Sequence, residues 1–140
     1  MFLLDTNVVS ELRKVHSGKA DASVSRWADR VDIRDLYLST VIVMELEIGV
    51  LLLERRDARQ GAQLRAWLDT AVLPSFEGRV LPVDTTVARR CAQLHVPDPR
   101  AERDALIAAT AFVHGMTVVT RNVRDFESTG VTVINPWCVG

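Results

Sequence analysis

A chain of 140 residues suits one domain, residues 1–140, long enough to bury a real core. With 48% hydrophobic and 25% charged residues, composition excludes disorder, and no apolar run approaches the roughly 20 residues of a membrane helix. A formal net charge of -1 excludes a strongly basic protein that grips nucleic acid over its whole surface, although all but Lys14 and Lys19 of its 17 basic residues are arginines, whose planar fork pairs with phosphate.

The chain opens on Phe2-Leu3-Leu4, which run straight into Asp5-Thr6-Asn7 before apolar residues return at Val8, Val9 and Leu12 with the spacing of one helix face. This pattern predicts a buried strand turning into a helix, with Asp5 at the carboxyl end of the strand, where open parallel sheets place their ligands. Lys14 to Lys19 read as a turn. A short amphipathic helix follows from about Asp21, with Val24, Trp27 and Val31 inward. Leu36-Tyr37-Leu38 predicts a brief strand, and Ser39 or Thr40 caps the unusually apolar helix from Val41 to Leu53.

A second helix from Asp57 to about Val72, ended by Pro74, is expected to fold back on the first as a helical hairpin. Arg79 to Val83 predicts a strand, followed by a helix opening at Asp84 or Thr85. Pro97-Asp98-Pro99 is a rigid loop. A compact helix from Ala101 to His114 is closed by Gly115, and strands follow at Thr117–Thr120 and Val131–Ile134. Strands alternating with helices at this spacing predict a parallel α/β sheet covered on both faces, a three-layer domain carrying a helical hairpin insertion. The amino terminus has no basic stretch leading into an apolar one, so a soluble cytoplasmic protein is the expectation, with no membrane association.

Cys91 and Cys138 share no metal-type spacing and lie among apolar neighbours, so both are expected to be buried or semi-buried thiols. His16, His95 and His114 likewise lack zinc-type spacing. The informative residues are acids in unusual places. Glu45 has Val41, Ile42, Ile48, Gly49 and Leu52 around it on its helix, so its carboxylate emerges from an apolar face; this favours Glu45 and leaves Glu47, two residues on, open. Asp104 sits in the first turn of a helix rich in small residues, where the helix dipole favours an acid. If the strands are parallel and adjacent, Thr120, Asn122 and Asp125 share the sheet edge of Asp5. Two carboxylates about 4 Å apart repel by roughly 4 kcal/mol at an effective dielectric of 20, so such a cluster must recruit cations or protons. Ligands that are all oxygen select hard metals, Mg²⁺ or Mn²⁺.

Asp5-Thr6-Asn7-Val8 after the first strand, Glu45 within Val43-Met44-Glu45-Leu46-Glu47-Ile48-Gly49, Asp104-Ala105-Leu106-Ile107-Ala108-Ala109, and Thr120-Arg121-Asn122 followed by Asp125-Phe126 together resemble a PIN domain. The likeness spans essentially the whole chain and is to the VapC toxins of toxin-antitoxin pairs, in the branch resembling FitB. It implies a Mg²⁺- or Mn²⁺-dependent endoribonuclease whose site is formed by Asp5, Glu45, Asp104 and Asp125. In the mechanism this implies, Asp5 and Asp104 hold the main metal, Asp125 is a further ligand, directly or through water, and Glu45 binds or orients a water. Thr6, Thr120 and Asn122 would orient the carboxylates, and Arg121 or Arg124 would touch the RNA backbone. It also implies a homodimer and a cognate antitoxin, usually a small DNA-binding protein whose tail blocks the site, with part of these interfaces on the hairpin from Val41 to Val72.

Two rivals frame this reading. A phosphatase of the haloacid-dehalogenase type would also place an aspartate at position 5, but it wants a second acid at position 7, which is Asn7, and a late lysine, and none follows Lys19. The other is a catalytically silent module that keeps the fold to bind an antitoxin or a nucleic acid; the intact set of four acids argues against it.

Overall fold

The computed structural model describes residues 1–138. Five short strands form one parallel sheet in the order β3-β2-β1-β4-β5: β1 Phe2–Leu4, β2 Leu36–Ser39, β3 Val80–Leu81, β4 Thr117–Val119 and β5 Val133–Ile134. The first strand in sequence is thus the centre of the sheet. β1 pairs with β2 on one side, Leu3 facing Tyr37, and with β4 on the other, Leu4 facing Val119. Leu3, Leu4, Leu38, Val118 and Val119 are all buried, as strands covered on both faces must be.

Five of the helices begin where a short polar side chain can satisfy their first amides. Asp5 caps α1 (Thr6–Leu12), Asp21 caps α2 (Ala22–Arg30), Ser39 caps α3 (Thr40–Arg56), Asp57 caps α4 (Ala58–Trp67) and Asp84 caps α6 (Thr85–Leu94). The open choices at Ser39 or Thr40 and at Asp84 or Thr85 are therefore settled for the first residue of each pair. Helix α7 (Glu102–His114) ends at Gly115, whose φ of 66° is left-handed, as the sequence predicts. Its Ala105, Ile107, Ala108, Ala109 and Ala111 are buried, so small residues let it lie close in the core.

Several expected boundaries shift. Helix α4 ends at Trp67, but the winding does not stop before Pro74: the backbone widens into a π-wound turn over Leu68–Val72 and runs on through a short α5 (Leu73–Ser75). The Leu73 amide reaches back to the Leu68 carbonyl, and the proline, which has no amide to donate, is accommodated there. Strand β3 is two residues rather than five, since Pro82 cannot donate to the ladder. The last strand pairs only over Val133–Ile134. Cys91 is buried and its thiol is pushed up by burial, but Cys138 is exposed, because Pro136 and Trp137 take the packing positions beside it. Val139, its other apolar neighbour in sequence, lies outside the described residues.

Helices α3 and α4 form the expected hairpin. Arg65 on α4 spans it, its guanidinium bonding Glu47 and Glu54 of α3 and lying 3.6 Å from Asp69. The helices approach so closely at Gly61 that an added Cβ would sit 2.5 Å from the Glu54 Cα. At Gly49, also helical, an added Cβ would meet nothing within 4 Å. Alanine gains about 1 kcal/mol over glycine in a helix interior, but overpacking against backbone costs roughly 1–3 kcal/mol. The two substitutions should therefore act in opposite directions in thermal denaturation. Gly49→Ala is expected to raise Tm by a few degrees, and Gly61→Ala to lower it.

Candidate functional site

The site begins with how β1 ends. The Asp5 amide continues the sheet by donating to the Val119 carbonyl at 2.9 Å, and the Asp5 side chain turns to cap α1 by accepting the Thr6 amide at 2.8 Å. Its second carboxylate oxygen accepts the Thr120 hydroxyl at 2.7 Å and the Asn7 side-chain amide at 3.4 Å. Asp5 is 7% exposed and Thr120 fully buried. A carboxylate this buried needs such donors, and it has them from the start of α1 and from the residue after β4.

Thr6 carries the network outward. Its amide serves Asp5, and its hydroxyl donates to Glu45 Oε1 at 2.9 Å. This separates the two candidate acids on α3. Glu45 faces the Asp5 edge, whereas Glu47 is drawn to α4 by Arg65, which also holds its carboxyl below the usual range. Asn122 enters through its backbone, its amide donating to the Thr120 hydroxyl at 3.0 Å and its carbonyl accepting the Asp125 amide at 3.1 Å. Asp125 closes a single 3-10 turn (Val123–Asp125) pinned by the fully buried Phe126.

Asp104, in the first turn of α7, is where the four acids meet electrostatically. Its carboxyl is pushed up to about 6, first by burial and then by the charges of Asp125, Asp5 and Glu45. Asp104 and Asp125 also face a common cavity of about 270 Å³, walled by Asp98, Pro99, Arg100 and Ser128. Among the described residues, however, no three acids, imidazoles or thiols are drawn together tightly enough to make a closed ligand set. The acids share one edge without forming a cage.

Three features of this edge escape a reading of acids alone. Arg103 places its guanidinium 3.6 Å from Glu45 Oε2; its signal was only its position beside Asp104. Arg100 bonds the Leu94 carbonyl and the Ser128 hydroxyl, tying the proline loop to the Asp125 turn. Arg121 donates its amide to Asn7 and lays its side chain over the Trp137 ring, while Arg124 is exposed on the Val123–Asp125 turn.

Residues 2–131 match the PIN domain family. The chain belongs to that family. Among its relatives, the VapC ribonuclease Y4jK of Sinorhizobium fredii is 40% identical over 142 residues, covering 98% of each chain. Toxin FitB of Neisseria gonorrhoeae is 39% identical over 143 residues, covering 98% of this PIN domain and 99% of FitB. The structure of FitAcB from Neisseria gonorrhoeae superposes with a TM-score of 0.89 at 38% identity, over 99% of this chain and all of the other. The DNA-bound VapBC of Salmonella typhimurium shares the fold at a TM-score of 0.70 and 27% identity, over 98% of each chain. This PIN domain therefore sits with the VapC and FitB proteins in sequence and in fold.

The raised Asp104 carboxyl makes stability pH-dependent. Its folded value of about 6 lies above the ordinary 3.8, so between these values the folded chain holds a proton that the unfolded chain has released. Stability falls as pH rises through that window, and above it the cluster carries the repulsion in full. Asp104→Asn removes that charge. In chelator-treated buffer at pH 8 the variant is expected to melt roughly 3 °C higher than the wild type, the difference closing as the pH is lowered to about 4.

Proposed function

We propose that this PIN domain is a metal-dependent endoribonuclease and the toxin of a toxin-antitoxin pair. The observation that carries the reading is Asp104, whose carboxyl is raised first by burial and then by three other acids, from the turn after β4, the end of β1 and α3. Four acids on one edge repel a polyanion such as RNA unless positive charge is added, and all four offer only oxygen, the donor that suits Mg²⁺ or Mn²⁺. The names of the relatives, VapC ribonuclease and toxin FitB, point the same way.

Asp5 and Asp104 would hold the ion, with Asp125 as a further ligand, directly or through water. When bound, such an ion supplies charge that offsets the carboxylates and the phosphate and makes a nearby water more acidic. The chain's own part is positional. Thr6, Thr120 and Asn7 leave Asp5 little freedom to rotate, because each of its oxygens is already bonded. Glu45, with one oxygen held by Thr6 and the other 3.6 Å from the Arg103 guanidinium, would bind or orient the attacking water. Arg121 or Arg124, next to the site in sequence and exposed, would contact the RNA backbone.

The partners belong to the same proposal. The solved relatives include FitAB bound to a DNA fragment and several toxin-antitoxin complexes. An antitoxin that binds DNA and a second copy of this chain are the partners proposed. Helix α3 exposes Met44, Leu51 and Leu52, an apolar surface for one of those contacts. Among the described residues no helix is long and apolar enough to cross a membrane, and a cytoplasmic setting is proposed with the function.

Incubation with mixed RNA, with Mn²⁺ and with chelator, tests the activity. The wild type is expected to cleave only with the ion present. Asp5→Asn keeps a side chain that caps α1 as well as aspartate does, so it should fold, and it is expected to lose on the order of 100-fold or more in cleavage rate. A folded Asp5→Asn protein with full Mn²⁺-dependent activity would overturn the mechanism, and a wild type that binds Mn²⁺ but cuts no RNA would favour a silent binding module.

A further inference from the structure

Arg103 occupies the first turn of α7, next to Asp104 in sequence, and reaches across to α3, where its Nη1 lies 3.6 Å from Glu45 Oε2. The other oxygen of Glu45 is held by the Thr6 hydroxyl at 2.9 Å. Two other arginines at this edge are already engaged, Arg100 with Leu94 and Ser128 and Arg121 with Trp137. Arg103 is different: its side chain is 51% exposed and its one ion pair is long. Pairs of this kind add little to stability. What Arg103 changes is the charge balance of the site, by placing a cation on an acid whose neighbours are acids.

A guanidinium and a divalent ion are alternatives for the same negative charge, while a phosphate competes with Glu45 for the guanidinium. The fork of arginine fits both carboxylate and phosphate, and the long side chain can turn from one to the other without moving α7. We propose that Arg103 is an exchangeable counter-cation of the acid cluster, resting on Glu45 in the metal-free chain and turning onto a backbone phosphate of RNA when substrate arrives. It lowers the affinity of the cluster for metal and raises the affinity for RNA. The inference rests on the ribonuclease reading above.

Opposite effects on the two ligands make the proposal testable, because a merely structural arginine would not produce them. Free Mn²⁺ counted by electron paramagnetic resonance, without RNA, is expected to show Arg103→Ala binding the ion roughly three- to tenfold more tightly than the wild type. In Mn²⁺-dependent RNA cleavage the same variant should show KM raised roughly tenfold, kcat within about twofold, and the salt dependence of kcat/KM reduced by about one phosphate contact. Arg103→Lys keeps the charge and loses the fork, so it should restore wild-type Mn²⁺ affinity and salt dependence and recover KM only in part. An Arg103→Ala protein with unchanged Mn²⁺ affinity, or with metal and RNA affinity moving together, overturns the proposal and leaves the ribonuclease reading intact. A wild type that neither binds Mn²⁺ nor cuts RNA overturns both.

Discussion

Everything at the working edge of this molecule depends on giving one nearly buried carboxylate, Asp5, enough hydrogen-bond donors. A bare charge there would be prohibitive, so the fold surrounds it with donors that only the correct packing supplies. The Thr6 amide is a free helix end, the Thr120 hydroxyl is lifted into place by the next strand, and Asn7 adds a side-chain amide. The same contacts start α1 and join β1 to the chain beyond β4, so the local fold and the local chemistry are one set of bonds. A side chain that neither capped a helix nor accepted from Thr120 would disturb both.

From Asp5 outward the charge balance changes. The core of the network is satisfied by neutral donors, its rim by charge. Glu45 draws on both, a hydroxyl at one oxygen and the Arg103 guanidinium at the other, while the Asp104 carboxyl is raised by burial and by the three acids around it. The gradient runs from a rigid acid to one whose protonation answers to its surroundings. Asp104, the acid at the end of that gradient, faces the cavity it shares with Asp125.

The architecture and the leading acids were legible because they rest on short-range rules. Apolar runs of strand length, capping residues at Ser39 and Asp84, and Gly115 after α7 are each decided within a few residues. Asp5 and Asp104 could be placed by their position against such elements, and the family likeness gathered them into one site. What was not legible depends on long-range contact. Glu45 and Glu47 differ by two residues on an apolar helix, and only the presence of Thr6 beside one and Arg65 beside the other tells them apart. The π-wound turn before Pro74 has no signature that distinguishes it from an ordinary helix end, and Cys138 lost its expected burial to Trp137, a choice made by packing. Arg103 was overlooked because an arginine on a helix surface is ordinary until its partner on another helix is known.

The bond from Thr120 to Asp5 joins residues 115 positions apart. During synthesis the first strand leaves the ribosome long before the strand that flanks it, and domains made from the amino terminus fold as their parts arrive. Until β4 docks, Asp5 has neither the Thr120 hydroxyl nor the Val119 carbonyl, and Asp125 does not yet exist as a neighbour. The order of the strands thus sets an order of assembly: the acid edge is completed only once β4 and the turn after it have been made.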